Sequence, residues 1–221
     1  MPPAPRHGPV SRTLVLLLGL LLGAVAAARP ANADHDPAWY VVRAGDNLTR
    51  IANRLGTWVA DLRTDNDLRT DVIRPGQRLE VSRPFARTAA DAILWQRVTR
   101  QPRSITARFG PYEENRIIMP RTGVELDLPQ GSDVLVPADG VIRYLAVMEE
   151  LGGVAILEHG AGRHSVLSPF DLASVPWRLG QAVLRGDLLG RTAAPPIAGK
   201  QPYLHVELRI DSKAVDPKLL L

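Results

Sequence analysis

The side chains that could do chemistry are few. The chain has five histidines and no cysteine, which excludes a thiolate metal site, a cysteine nucleophile, a disulfide framework and a lipidated N-terminal cysteine. A hydrolytic zinc site needs three histidine or carboxylate ligands and an open fourth position, where the metal lowers the pKa of bound water. Glu125, His164, His205 and Glu207 are the candidates for such a site. Glu207 follows His205 by two residues, so the pair shares one face of a strand. His164 reads as a loop residue with no evident partner.

The elements that must position these residues are short strands. From residue 105 onward, turns separate β-favouring runs: Gly131-Ser132-Asp133 before Val134-Leu135-Val136, Ala138-Asp139-Gly140 before Val141-Ile142, and Gly152-Gly153 before Val154-Ala155-Ile156-Leu157. Helical periodicity is almost absent, so residues 105–221 are predicted to form an antiparallel all-β domain. A smaller unit, residues 38–82, precedes it. Trp39-Tyr40-Val41-Val42 favours a strand and Ala44-Gly45-Asp46-Asn47 a turn, while Leu48, Ile51, Ala52 and Leu55 line one face of a helix ended by Gly56. A second short helix over 58–64, a turn at Arg74-Pro75-Gly76-Gln77 and a strand at Leu79-Glu80-Val81 complete the order strand, helix, helix, strand. The expected fold class is mainly β: a small βααβ module, then an antiparallel all-β domain.

The first unit resembles a LysM domain in its strand, Gly45-Asp46 turn, short apolar helix, central Asn66 and Pro75-Gly76-Gln77 turn. The resemblance implies binding of N-acetylglucosamine-containing peptidoglycan strands in a shallow groove. Gly45, Asp46, Asn47 and Leu48 would form one lip, and Asn66, Asp67, Leu68 and Ile73 the other. Gly45 and Gly76 are expected to serve turn geometry, and Leu48 and Ile51 to pack in the core rather than contact a ligand. The second unit resembles the LytM/lysostaphin-type zinc endopeptidases, which share the duplicated hybrid motif fold. Residues 131–141, 152–162, 180–190 and 202–209 follow that family's strand signatures in order.

In active members of that family an H-x-G-x-D strand and the second histidine of H-x-H supply three zinc ligands, and two further histidines assist the reaction. Here the first strand reads Arg121-Thr122-Gly123-Val124-Glu125 and the second motif Tyr203-Leu204-His205. Counting from His159-Gly160, Pro169 stands where the remaining catalytic histidine is expected. A guanidinium, a proline and a phenol cannot perform the roles of those imidazoles. The resemblance therefore implies a degenerate site without catalytic residues or bound metal, Glu125 and His205 being the residual metal candidates. His159 is expected to make a turn hydrogen bond. Arg121 is expected to fill the vacated zinc volume and bridge Glu125, so that no carboxylate is left unpaired.

Residues 83–104 form a linker in which 88–100 is predicted helical, with Ala89, Ile93, Leu94 and Val98 on one face and Trp95 at its edge. The alternatives are a connecting helix packed on a neighbour and a gating helix over the groove of the second domain. Residues 1–33 carry Arg6, His7 and Arg12 ahead of an apolar run over 14–28 and Ala31-Asn32-Ala33, the pattern of a cleaved signal peptide. An uncleaved anchor is the alternative. The run is short for a bilayer span, so the expectation is an exported periplasmic or envelope protein without a stable membrane anchor. Net charge is +4, falling to +1 once the three arginines of 1–33 are set aside, which gives no electrostatic case for nucleic acid.

Three functions are compatible with these readings. The first is a catalytically inactive regulator: a LysM unit followed by a degenerate LytM unit resembles the activators of murein hydrolases, the partner being an N-acetylmuramoyl-L-alanine amidase in cell-wall remodelling or division. The second is an active zinc endopeptidase with a noncanonical site. The third is a passive wall-binding scaffold. Only the second requires a cofactor, zinc.

Overall fold

The computed structural model describes residues 37–85, 94–100, 104–114 and 116–221. The expected leader at 1–33 and the first half of the expected 88–100 helix lie outside them.

The small module has the expected order. Strand β1 (Ala38–Val41) leads through the Gly45 turn to helix α1 (Leu48–Arg54), then helix α2 (Val59–Asp65) and strand β2 (Arg78–Val81), which pairs antiparallel with β1. Asn47 caps α1 by accepting the Arg50 N–H at 2.9 Å. Leu48, Ile51, Ala52 and Leu55 are buried together with Leu62 and Leu79, as their spacing requires.

The second domain comprises β3 (Ile105–Ala107), a separate hairpin β4 (Gly110–Glu114) and β5 (Ile117–Arg121), then β6 (Val124–Asp127), β7 (Asp133–Leu135), β8 (Gly140–Met148), β9 (Gly152–Glu158), β10 (Arg163–Asp171), β11 (Ala182–Val183), β12 (Leu188–Thr192), β13 (Tyr203–Ile210) and β14 (Lys213–Val215). Apart from the hairpin these form one antiparallel sheet with the main order β11-β8-β9-β10-β13-β6-β3. Val124, Leu126, Leu157, Leu167, Leu204 and Val206 build the core on one face of that sheet.

Residues 94–100 are not helical. Their backbone is drawn into the sheet's surroundings: Gln96 N–H donates to Pro137 O, Val98 N–H to Leu220 O, and Leu135 N–H to Val98 O, each at 2.8 Å. Val98 is buried in the core, and Trp95 packs against that core and edge-on to His159 at 5.0 Å between ring centroids. These residues cover the core face of the sheet, so they do not gate the opposite face.

The two domains share apolar packing. Val141 and Ala182 of the large sheet belong to the same buried cluster as Leu48 and Leu55. Trp39 N–H donates to Gly180 O at 3.1 Å, and Arg43 makes a two-pronged pair with Asp187 at 2.8 and 2.6 Å. Phe85 fills the remaining gap: a Cβ on Gly160 would come within 2.8 Å of its ring, so glycine is required where the two units meet.

His159 makes the expected turn contact. Its Nδ1–H donates to Asp139 O at 3.0 Å and its Nε2 accepts from the Ser165 hydroxyl at 2.8 Å, the bonds of a neutral imidazole. Burial lowers its pKa from 6.5 to about 4. Between those values the unfolded chain takes up a proton that the folded chain refuses, so stability falls as pH drops through this window. The loss is roughly 3 kcal/mol. Urea midpoints compared at pH 7.5 and 4.5 will show it, and the profile of His159→Gln will be flatter.

Candidate functional site

Strand β13 sets the site by alternation. Leu204, Val206 and Leu208 point into the core, so Tyr203, His205, Glu207 and Arg209 face the other way. The register places His205 between Ser168 of β10 and Glu125 of β6. Directly opposed residues lie on the same face, so Ser168, His205 and Glu125 form a row. The structure thus brings together the two residual metal candidates, Glu125 and His205.

Glu207 is the polar centre of this face. Though only 1% exposed, its carboxylate accepts from the Thr122 hydroxyl, from His205 Nε2–H at 3.1 Å and from the Arg209 guanidinium at 2.9 Å. Burial pushes its pKa up, but the hydrogen bond and charge of His205, the Thr122 bond and the Arg209 charge outweigh burial and hold it below its ordinary value. Gly123 allows the close approach of β6: a Cβ there would lie 2.5 Å from Val206 O and 2.8 Å from His205 Cε1.

Glu125 has a different partner from the one expected. Lys200 Nζ donates to its carboxylate at 2.8 Å and lies 3.8 Å from the centre of the Tyr203 ring. Arg121 instead stacks its guanidinium 4.1 Å from the centre of the Tyr112 ring, within the β4–β5 hairpin. The expectation that Arg121 bridges Glu125 is therefore corrected: the cation on Glu125 is Lys200. Tyr203 is buried, and its hydroxyl pKa is pushed up to about 12 by desolvation and by the Glu125 charge.

Pro169 does not join the row. Its carbonyl accepts the Ala193 N–H at 3.1 Å, and its ring abuts Gly152. Ser168 is the β10 residue opposite His205. The β9–β10 register shifts between Leu167 and Phe170, so residue counting along this strand does not report which face a side chain occupies. His164 stands opposite Glu158 and Arg209 on adjacent strands, displaced along β10 from the row.

The family-implied zinc does not fit these side chains as arranged. A carboxylate can only accept, so His205 Nε2 carries a proton toward Glu207 and Nδ1 is the one ring atom left to ligate. The Glu125 carboxylate is held by an ammonium, and the Thr122-Glu207-Arg209 bonds occupy the remaining oxygens. Among the described residues no group of three or more His, Asp or Glu side chains is arranged to hold a metal ion.

On the small module, several lip residues also have structural duties. Asp46 accepts from the Tyr40 hydroxyl at 2.7 Å and from Arg43 N–H at 2.8 Å. Asn66 bridges α2 to β2, donating to Leu62 O and Glu80 O at 2.8 Å and accepting from Glu80 N–H at 2.6 Å. Leu48 is buried, Leu68 and Ile73 are half-buried against the same core, and Gly45, Asn47 and Asp67 are exposed. The solvent-facing parts of the two lips are thus the loops 44–47 and 67–73.

Sequence reasoning missed Lys200. The signal was present: in an arginine-rich chain the lysines are only Lys200, Lys213 and Lys218, and the first directly precedes the β13 strand.

The order of the two domains accords with comparisons to known proteins. Residues 40–82 match the LysM domain profile and residues 119–217 that of peptidase family M23. The chain thus carries a LysM domain at 40–82 followed by an M23 peptidase-family domain at 119–217. It is similar to an uncharacterized metalloprotease of Haemophilus influenzae, 30% identical over 117 residues, covering 51% of this chain and 24% of that protein. Membrane-bound lytic murein transglycosylase D of Escherichia coli is 35% identical over 111 residues, covering 48% of this chain and 23% of that protein. The chain spans 24% and 23% of these two relatives. Solved structures with a similar fold include a zinc containing peptidase from Vibrio cholerae, at 18% identity, 81% and 69% coverage and TM-score 0.48. Lysostaphin from Staphylococcus simulans has 18% identity, 57% and 53% coverage and TM-score 0.48.

Glu207→Leu strands Arg209 and His205 without their shared carboxylate and is expected to cost about 3–5 kcal/mol. Glu207→Gln keeps the shape and costs less. Urea unfolding of both variants measures the difference, and equal losses would deny the ionic role of Glu207.

Proposed function

We propose that this protein is an exported peptidoglycan-binding factor whose M23 domain docks and activates a murein hydrolase, such as an N-acetylmuramoyl-L-alanine amidase, and does not itself cut peptide bonds. The observation that carries this reading is the Lys200–Glu125 contact. An ammonium sits on the carboxylate that would have to bind zinc, and among the described residues no group of three possible ligands forms around His205. Without an activated water, amide hydrolysis has no nucleophile at this site. The LysM domain supports attachment to peptidoglycan glycans. The basic and apolar start of the chain supports export, and the E. coli relative's name connects similar sequence with murein at a membrane. No helix among the described residues is long and apolar enough to cross a membrane.

The test uses the full mature chain on purified murein sacculi, with and without a candidate amidase, and measures bound zinc in parallel. The expected result is sacculus binding, no released peptides from the protein alone, and faster amidase release when both are present. Cleaved stem peptides from the protein alone, with stoichiometric zinc, would overturn the reading. Sacculus binding with unchanged amidase rates would remove the activator role and leave a scaffold.

A further inference from the structure

Lys200 occupies a site with the chemistry of an ammonium receptor. One wall is the Glu125 carboxylate, 2.8 Å from Nζ, and another is the face of Tyr203, 3.8 Å from Nζ to the ring centre. A negative charge and an aromatic face converging on one point is an arrangement that selects a compact alkylammonium. Neither wall is free to drift. Glu125 is paired in register with His205, and Tyr203 with Asp127, across the β6–β13 ladder. Their side chains are mostly shielded, Glu125 being 18% exposed.

The occupant is held differently from the walls. Lys200 lies at the end of an irregular loop between β12 and β13, in which Ala194, Pro196, Ile197, Ala198 and Gly199 are all exposed. A Cβ on Gly199 would meet nothing within 4 Å. The loop can therefore move outward without opening the core. The receptor belongs to the sheet, whereas the ammonium belongs to a surface loop.

We infer that Glu125 and Tyr203 form a binding site for a primary alkylammonium, such as a lysine or other diamino-acid side chain of a peptide, and that Lys200 is its displaceable internal occupant. The inference rests on the reading of this groove as one that holds no metal. It adds the ligand class that the docking surface recognises. An internal ligand competes at the high effective concentration set by its short tether, so wild-type protein binds a free amine weakly and removal of Lys200 exposes the site. Lysine, not arginine, suits the position: its ammonium is compact and needs no planar fork of acceptors.

The test titrates the full mature chain with Nα-acetyl-lysine amide, using Nα-acetyl-norleucine amide as the uncharged control, and follows binding by calorimetry. Lys200→Met is expected to bind the lysine amide about tenfold or more tighter than wild type and to ignore the norleucine amide. Adding Glu125→Gln to Lys200→Met is expected to abolish that binding. Lys200→Gln removes the ammonium while keeping a polar side chain and serves as a second variant without the internal occupant, and thermal melting confirms that each variant is folded. Folded Lys200→Met and Lys200→Gln proteins that both fail to bind the amine, or that bind the norleucine amide equally, overturn the inference. Bound zinc is measured on the same samples. Failure of amine binding in zinc-free protein overturns this inference alone, whereas stoichiometric zinc in wild-type protein overturns the metal-free reading beneath it.

Discussion

Buried carboxylates need positive partners, and in the groove of the second domain the chain supplies them from its own side chains. Moving an ion out of water costs several kcal/mol, recovered only when a partner and the remaining hydrogen bonds are in place. Glu207 recovers it through Arg209, His205 and Thr122, Glu125 through Lys200, and Glu158 through Arg143 at 2.6 Å. A zinc ion performs the same electrostatic duty for carboxylates in a peptidase. The difference is consequential, because an ammonium has no coordination position to offer a water molecule. On the proposed reading, the ammonium keeps the charge balance without supplying a Lewis acid.

The neutralised groove depends in turn on β13. The strand alternates leucines and valines with Tyr203, His205, Glu207 and Arg209, and a shift of one residue would move the whole polar set into the core. The strands on either side lock that register through continuous ladders to β10 and β6. The apolar half of β13 thereby fixes the positions of the polar half. The core residues that hold the strand framework are thus separate from the polar residues that line the groove.

Much of the architecture was legible in the sequence. Turn residues and alternation gave the strands, and the 48, 51, 52, 55 spacing gave α1, because these patterns report local burial directly. The groove was legible only in part. Glu125, His205 and Glu207 fall on β6 and β13, and alternation with the register places them on one face. Lys200 could not be placed that way, since a loop has no period and its partner is far away in sequence. Arg121 was misassigned for a related reason: strand order put it near Glu125, but the competing face of Tyr112 lies across a hairpin whose geometry the sequence does not state. Residues 94–100 carry an apolar spacing compatible with a helix, yet Gln96 and Val98 form backbone bonds to Pro137 and Leu220, so tertiary pairing overrides the local preference.

The shared core between the domains bears on how the two would act together. Val141 and Ala182 are buried among the LysM leucines, so separating the modules would expose apolar surface. A loosely tethered LysM domain would carry no such penalty. Arg43 and Asp187 then set orientation at the rim: the fork of the guanidinium matches both carboxylate oxygens, and Asp187 also accepts the Leu184 N–H at 2.8 Å, which fixes its direction. Arg43 sits just ahead of the 44–47 lip, and its own N–H is held by Asp46. A glycan held on that lip, as proposed, is therefore held in a fixed orientation relative to the sheet that carries Glu125 and Tyr203. On those proposals, two weak recognition events on packed domains reinforce each other only when their spacing matches the target.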